Sequence, residues 1–214
     1  MKYDQPIIVT DVETGGLPSK LKKQATLEVA LTEIAFVVID NNSLEIIDER
    51  SYLFKPYSKD LIYDPEAAKV SGITLTMLEE KGLPMNEAFH DIDKFLSSYI
   101  KGRNKPYLCG HNIQNFDLDF IVNLFELNKK DISKYFDDFI LDTLWLSRLT
   151  LVENPKFNLA ACCEAFGIEH TQAHRALTDT IVTAKLLIKI LKRMRSESSE
   201  NNKVVKRFRN TFEF

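Results

Sequence analysis

Cysteine is scarce in this sequence, and its three copies show no disulfide pattern. Cys109 stands alone, whereas Cys162 and Cys163 are adjacent. Proteins that depend on disulfides carry several cysteines at paired spacings and fold in oxidising compartments. We therefore expect a cytoplasmic protein in which these three residues serve as small core side chains.

Long apolar runs are also missing. No stretch reaches the roughly 18–20 residues that span a bilayer, and Asp4, Asp11 and Glu13 come too early for the apolar region of a signal peptide. We therefore expect no membrane contact. The net charge of −3 excludes no partner, because nucleic acids bind to local basic patches. With 44% hydrophobic residues, the chain can bury the core of one ordinary domain.

The order of the predicted elements indicates an α/β fold. Three strand-like runs come first, at residues 6–12, 31–40 and 45–56. The later predictions are helices at 64–82 in two parts, 86–102, 116–127, 158–167 and 173–194, a strand at 106–110, and a strand followed by a helix at 138–149. Strands that first meander and then alternate with helices predict a mixed five-stranded sheet flanked by helices.

The end of the chain differs in composition from the rest. Residues 196–202, SESSENN, are polar and typical of a linker, and residues 203–214, KVVKRFRNTFEF, are basic and aromatic. We predict one domain over residues 1–195, followed by a polar linker and a tail over 196–214. The tail has the composition of a peptide that binds a partner or a nucleic-acid strand. Composition alone favours a disordered, solubilising tail over this interpretation.

Two acidic side chains end the first predicted strand. Asp11 and Glu13 are two positions apart, so both leave the same face of the strand. Two bare carboxylates repel each other there unless a cation lies between them, and a divalent cation is one solution. The alternative is a strand end that becomes polar as it enters a loop. The pair alone favours that alternative.

Two further acids lie on apolar helix faces. Asp117 shares its face with Phe120 and Ile121, and Asp179 shares its face with Leu186. A carboxylate in such a position is rarely tolerated unless it is paired or bound to metal. Asp117 could instead cap its helix, and Asp179 could be satisfied by a backbone group.

One histidine precedes the last of these acids. His174 stands five residues before Asp179, an offset of about 140° on a continuous helix. The two can serve one site only if His174 lies on a loop before the helix, and the segment EHTQAH is predicted to form that loop. By default, His90, His111 and His170 are interpreted as surface or capping residues.

These acids and the histidine have a common chemical explanation. Oxygen ligands favour Mg²⁺ or Mn²⁺ over zinc, and no Cys/His spacing typical of zinc is found. Two such ions suit phosphoryl transfer, because one activates the attacking water and the other stabilises the leaving oxygen. The residues therefore indicate a metal-dependent site for phosphoryl transfer.

Three motifs together resemble the DEDDh branch of the DnaQ-like 3′→5′ exonucleases. They are DVETGG at 11–16, GHNIQNFD at 110–117 and HRALTD at 174–179. Each motif is weak alone, whereas all three in the family's order are specific. The resemblance implies a ribonuclease-H-like fold. The second motif is one residue longer than the commonest family form.

The resemblance also implies the role of each site residue. It implies metal ligands at Asp11, Glu13, Asp117 and Asp179, which would hold two divalent ions, Mg²⁺ or Mn²⁺. His174 would act as the general base, since a neutral imidazole accepts a proton near pH 7.

The same resemblance implies a set of contacts with the 3′-terminal nucleotide. Thr14 and Gly15 would meet that nucleotide with exposed backbone N–H groups, Leu17 would wedge against its base, and Phe116 would lie along the strand. Such stacking tolerates any sequence. The full set of implied substrate contacts is Thr14, Gly15, Leu17, His111, Asn112 and Phe116.

The expected activity is removal of nucleotides from single-stranded 3′ ends, with DNA favoured over RNA. Exoribonuclease activity is the first alternative, because the treatment of a 2′-hydroxyl is not visible in the sequence. A non-catalytic, polymerase-associated binding subunit is the second, although no acid of the set is missing. The tail at 196–214 is a candidate contact for a polymerase or another replication or repair protein.

Overall fold

The computed structural model describes residues 5–18, 28–151, 153–170 and 174–211, with side chains as far as residue 196. The strands in that part of the chain are β1 (Ile7–Thr14), β2 (Leu31–Asp40), β3 (Glu45–Leu53), β4 (Tyr107–Gly110) and β5 (Leu141–Asp142). They form one sheet in the order β3-β2-β1-β4-β5. β1 is antiparallel to β2 and parallel to β4, so the predicted mixed five-stranded sheet is confirmed.

Helices flank this sheet. In the described residues they are α1 (Pro65–Ser71), α2 (Leu75–Lys81), α3 (Met85–Ser97), α4 (Asp117–Leu127), α5 (Thr143–Thr150), α6 (Leu159–Ala165) and α7 (Ala176–Thr211). Short polar side chains start four of them by accepting a backbone N–H bond. These side chains are Asp64, Thr74, Asp142 and Asn158. Within the described ranges, no helix combines the length and apolar character needed to cross a membrane.

The central strand β1 is covered on both faces. Ile7 and Val9 pack with Leu187 of α7 on one face. Ile8 and Val12 belong to a second apolar cluster, which includes residues of α3 and α4. Because side chains alternate along a strand, every second residue of β1 is directed towards α7.

The final helix is longer than the sequence predicted. The predicted helix ended at residue 194 and a linker began at 196, whereas the backbone of α7 is helical through Thr211. Residues 196–211 contain no glycine or proline that would stop a helix. The polar tract is therefore part of the helix, and residues 212–214 of the predicted tail lie outside the described residues. By contrast, α3 ends at Ser97, short of the predicted 102.

Candidate active site

The carboxyl end of β1 brings three carboxylates together. Asp11 and Glu13 leave the strand on the face that packs against α7, and Asp179 lies in the first turn of that helix. One carboxylate oxygen from each of the three lies within 4.8 Å of the others. Since β1 is hydrogen-bonded to β2 on one side and to β4 on the other, the position of this cluster is firmly held.

The fourth predicted acid is fixed to the same strand. Asp117 is the first residue of α4, and its side-chain Oδ1 accepts a hydrogen bond of 3.1 Å from the backbone N–H of Val12. The residue is only 5% exposed. Capping was the alternative interpretation for Asp117, but no side chain caps α4, and this carboxylate bonds the strand between Asp11 and Glu13.

Burial and mutual repulsion disfavour the charged form of these acids. Burial raises the pKa of Asp11 well above its usual range, and the nearby charge of Asp117 raises it further. Burial also raises the pKa of Glu13 to about 7, with Asp179 as the next cause. The pKa of Asp117 rises to about 7 through burial, although the bond from Val12 opposes the shift. A buried cluster of carboxylate oxygens that repel one another fits hard divalent cations such as Mg²⁺ or Mn²⁺.

His174 lies on a loop directly before α7, as the sequence predicted. Its backbone is left-handed, with φ of 71°, and its N–H donates a hydrogen bond of 3.0 Å to Oδ2 of Asp179. The exposed imidazole lines the same cleft as the carboxylates. The backbone of His174 thus lies beside Asp179 without a shared helix face.

A residue that the sequence analysis missed anchors this loop. Glu33 of β2 is 1% exposed and accepts hydrogen bonds from Nε and Nη2 of Arg175, at 3.0 and 2.9 Å. It also accepts the N–H of Ala176 at 3.1 Å, at the start of α7. The signal was present in LTEIAFVV, because a lone glutamate interrupts an otherwise apolar strand.

A second histidine contacts the carboxylate cluster. His170 places Nε2 at 2.5 Å from Oδ1 of Asp179, and its side chain is only 9% exposed. The default interpretation of His170 as a surface or capping residue is therefore wrong. The loop brings it inward, although residues 171–173 between the two histidines lie outside the described residues. Asp179 is thus contacted through both oxygens by the segment that precedes α7.

The carboxylates form one side of an open cleft of about 650 Å³. Its other side consists of α5 and the segment that leads into α6. That side contains two basic residues, Arg148 and Lys156, which the sequence analysis did not select. The cleft is therefore acidic where β1 ends and basic where α5 runs.

One predicted feature of Gly15 is wrong. Its N–H was expected to be exposed, but it donates a hydrogen bond of 2.8 Å to the carbonyl of Ala30. The glycine is needed for another reason, since a Cβ at this position would lie 2.4 Å from the carbonyl oxygen of Ile62. Gly15 therefore allows a close backbone contact beside Thr14, whose hydroxyl bonds the carbonyl of Gly16.

Leu17 and Phe116 border a second hollow next to the carboxylates. This hollow measures about 470 Å³ and also includes Glu13, Thr14 and Val70. The Leu17 side chain is 86% exposed. The centroid of the Phe116 ring lies 5.2 Å from the centroid of the Phe120 ring. An exposed leucine and a supported aromatic ring are thus placed together beside the cluster.

The structure places His111 and Asn112 in the cleft, where both make hydrogen bonds within the protein. The two ring nitrogens of His111 lie 2.9 Å from the hydroxyl of Thr143 and 3.0 Å from the carbonyl of Phe157, and burial lowers its pKa. Asn112 has a left-handed backbone with φ of 62°, and its N–H donates to Asp142. Asp142, which the sequence analysis also missed, therefore fixes the loop that leads to α4.

Known proteins share both this sequence pattern and this architecture. An exonuclease family model, RNase_T, matches residues 8–187. Ribonuclease T of Yersinia pseudotuberculosis is 31% identical over 192 residues, which cover 87% of this chain and 84% of that protein. The PolC-type DNA polymerase III of Staphylococcus epidermidis is 28% identical over 199 residues, or 93% of this chain and 12% of the polymerase.

A solved structure agrees with the fold. The zinc-bound form of E. coli exonuclease I with single-stranded DNA superposes with a TM-score of 0.72 at 22% identity. The match covers 88% of this chain and 41% of that chain, so this chain spans less than half of exonuclease I. The shared fold agrees with the family match and with the similarity to ribonuclease T over most of both chains, and these two findings lead to one conclusion: the chain belongs to the exonuclease family and is a 3′→5′ exonuclease.

Proposed function

We propose that this exonuclease removes nucleoside 5′-monophosphates from the 3′ end of single-stranded DNA in a reaction that needs two divalent metal ions. The observation that carries the proposal is the convergence of Asp11, Glu13 and Asp179 within 4.8 Å at the end of the central strand. The carboxylate of Asp117, held by the strand between them, completes the set.

The four acids fit a pair of hard cations. Their donors are all oxygen, and burial, followed by repulsion between the carboxylates, raises the pKa values of Asp11 and Glu13, as expected for acids that a divalent cation would bring together. Mg²⁺ or Mn²⁺ bound there would polarise the scissile phosphate and lower the pKa of water. The contribution of the chain itself is to hold the four oxygen donors on one rigid strand and on the first turns of α4 and α7.

His174 is the proposed general base. Its imidazole is exposed in the cleft and can take a proton from the attacking water near neutral pH. Two contacts fix its backbone: the bond from its N–H to Asp179 and the adjacent pairing of Arg175 with the buried Glu33. These contacts position His174 at the start of α7.

The 3′-terminal nucleotide is proposed to occupy the hollow between Leu17 and Phe116. This hollow shares Glu13 and Thr14 with the end of β1, so a nucleotide there would present its phosphate to the carboxylates. Leu17 can pack against the base because it is exposed. The aromatic face of Phe116 tolerates any base.

RNA is the second candidate substrate, because ribonuclease T matches this chain over most of its own length. DNA is supported by the similarity to a DNA polymerase and by the fold shared with a DNA-bound exonuclease.

The test is digestion of 3′-labelled single-stranded DNA and RNA of the same sequence, with Mg²⁺ or Mn²⁺ and with a chelator. Faster release of nucleotides from RNA than from DNA would identify RNA as the preferred substrate. Equal release with and without chelator would end the metal proposal.

The segment at 196–214 is proposed to bind a partner protein involved in replication or repair. It lies beyond the family match, which ends at residue 187, and its helical backbone continues α7 through Thr211. The test is removal of residues 196–214. Retention of a partner is expected to fall while cleavage of short oligomers persists, and equal retention would contradict the proposal.

A further inference from the structure

The basic side of the cleft has a charge pattern that the carboxylates do not use. Arg148 of α5 and Lys156 both line it, and no acidic residue lines the same side. All four acids of the cleft belong to β1, α4 and α7. A polyanion entering the cleft would therefore meet cations on one side and the proposed metal ligands on the other.

Two aromatic rings hold the guanidinium of Arg148 in place. Its Cζ atom lies 4.7 Å from the ring centroid of Trp145 and 5.8 Å from that of Phe157. Such contacts use the faces of the planar guanidinium and leave its N–H edges free to donate. Ring contacts therefore fix the position of the charge without consuming its hydrogen-bond donors.

No acidic side chain neutralises this charge in the part of the chain that the structure describes. The ion pairs there involve other residues. Arg148 thus lines the cleft together with the carboxylates but forms no ion pair with them. A planar guanidinium with free edges matches a phosphate oxygen pair.

We infer that Arg148, which contacts the rings of Trp145 and Phe157, binds a backbone phosphate of the substrate strand other than the phosphate being cleaved. The inference rests on the proposed function, which places the scissile phosphate over the carboxylates. Arg148 belongs to the α5 side of the cleft and the carboxylates belong to the other side, so we assign Arg148 to a neighbouring phosphate of the strand. Arg148 therefore sets how an oligonucleotide is positioned, and a substrate with a single phosphate gains nothing from it.

The experiment pairs protein variants with substrates that lack one charge. Oligodeoxynucleotides carry a neutral methylphosphonate at one linkage at a time, counted from the 3′ end. Wild type, Arg148→Ala, Arg148→Lys and the control Lys81→Ala are compared; Lys81 is an exposed residue of α2 outside the cleft. KM and kcat are measured for each pair, and thermal melting verifies that every variant folds.

Arg148→Ala is expected to raise KM for the unmodified strand on the order of tenfold, with a smaller change in kcat. Neutralising one particular linkage should raise the KM of wild type by a similar factor. The same change in the substrate should leave the KM of Arg148→Ala unaltered. The KM of Arg148→Lys should lie between those of wild type and Arg148→Ala, because lysine keeps the charge and lacks the planar guanidinium. The slope of log KM against log salt should fall by about 0.7 in Arg148→Ala.

A second substrate separates this inference from the proposed function. The p-nitrophenyl ester of thymidine 5′-monophosphate has one phosphodiester and no neighbouring phosphate. The loss caused by Arg148→Ala should be at least about tenfold smaller on this ester than on the oligonucleotide. Equal losses on both substrates, or no linkage that couples to Arg148, would overturn the inference. Absence of metal-dependent cleavage of either substrate by wild type would instead contradict the proposed function.

Discussion

The carboxylate of Glu33 and the guanidinium of Arg175, 142 residues apart in the chain, form a two-point contact at 3.0 and 2.9 Å. It joins strand β2 to the segment that carries His174. Because Glu33 is 1% exposed whereas the Arg175 side chain is 41% exposed, the two partners depend on the contact unequally. Only the carboxylate would be left buried without its counterion.

This inequality predicts the order of two variants. Arg175→Ala should lower the free energy of unfolding by about 3 kcal/mol, since it leaves a buried charge. Glu33→Gln should lower it by about 1–2 kcal/mol, because Arg175 can still be hydrated. Urea denaturation without metal measures both values. If Glu33→Gln lowers the free energy of unfolding more than Arg175→Ala does, the buried carboxylate is not the partner that depends more on the contact.

Asp11→Asn should trade activity for stability. Burial, followed by the charge of Asp117, raises the pKa of Asp11 well above its usual range. Replacing the carboxylate therefore removes a buried charge and its repulsion by neighbouring acids in the metal-free protein. We expect a higher melting temperature, by about 2–4 °C for each kcal/mol relieved, and a loss of nucleotide release of at least about a thousandfold. Melting curves in chelator and a 3′-labelled oligonucleotide assay give the two results. Normal cleavage by this variant would contradict the metal site.

Metal-free stability should depend on pH through Glu13. Burial, then the charge of Asp179, raises its pKa from 4.5 to about 7. Between these values the native state binds more protons than the unfolded state, so the free energy of unfolding falls as pH rises. In wild type this fall should be steeper than in Glu13→Gln, and Mg²⁺ should stabilise wild type more at pH 8 than at pH 5, since binding displaces protons. Identical pH slopes in the two proteins would contradict the assignment.

The two histidines beside Asp179 should give different kinetic effects. His174→Ala should lower kcat by about 10²–10⁴-fold with little change in KM, as expected for loss of a general base. His170→Ala should instead raise the Mg²⁺ concentration needed for half-maximal rate, because His170 positions Oδ1 of Asp179. His90→Ala, at an exposed position on α3, is the control. A larger loss of kcat in His170→Ala than in His174→Ala would exchange the two roles.

The sequence predicted those parts of the site that follow from periodicity. Alternation along a strand placed Asp11 and Glu13 on one face, and helical spacing placed Asp117 and Asp179 on buried faces. The fold followed from the order of strands and helices. These predictions succeed because each depends on local geometry.

Features that depend on distant partners could not be predicted in the same way. The N–H of Gly15 is taken by Ala30, which requires knowledge of the register between β1 and β2. The inward position of His170 depends on a loop path that no spacing rule describes. Arg148 looked like any exposed helical arginine, because its aromatic support includes Phe157, which lies beyond the end of α5.

Helix α7 has a mechanical consequence. It starts next to the loop that carries His174 and continues for 36 residues, which corresponds to a length of about 54 Å at 1.5 Å per residue. Asp179 sits in its first turn, so a protein that grips the far end near Thr211 would be held about 50 Å from the chemistry. The length of the helix, rather than a flexible linker, would then set the distance between the active site and the bound partner.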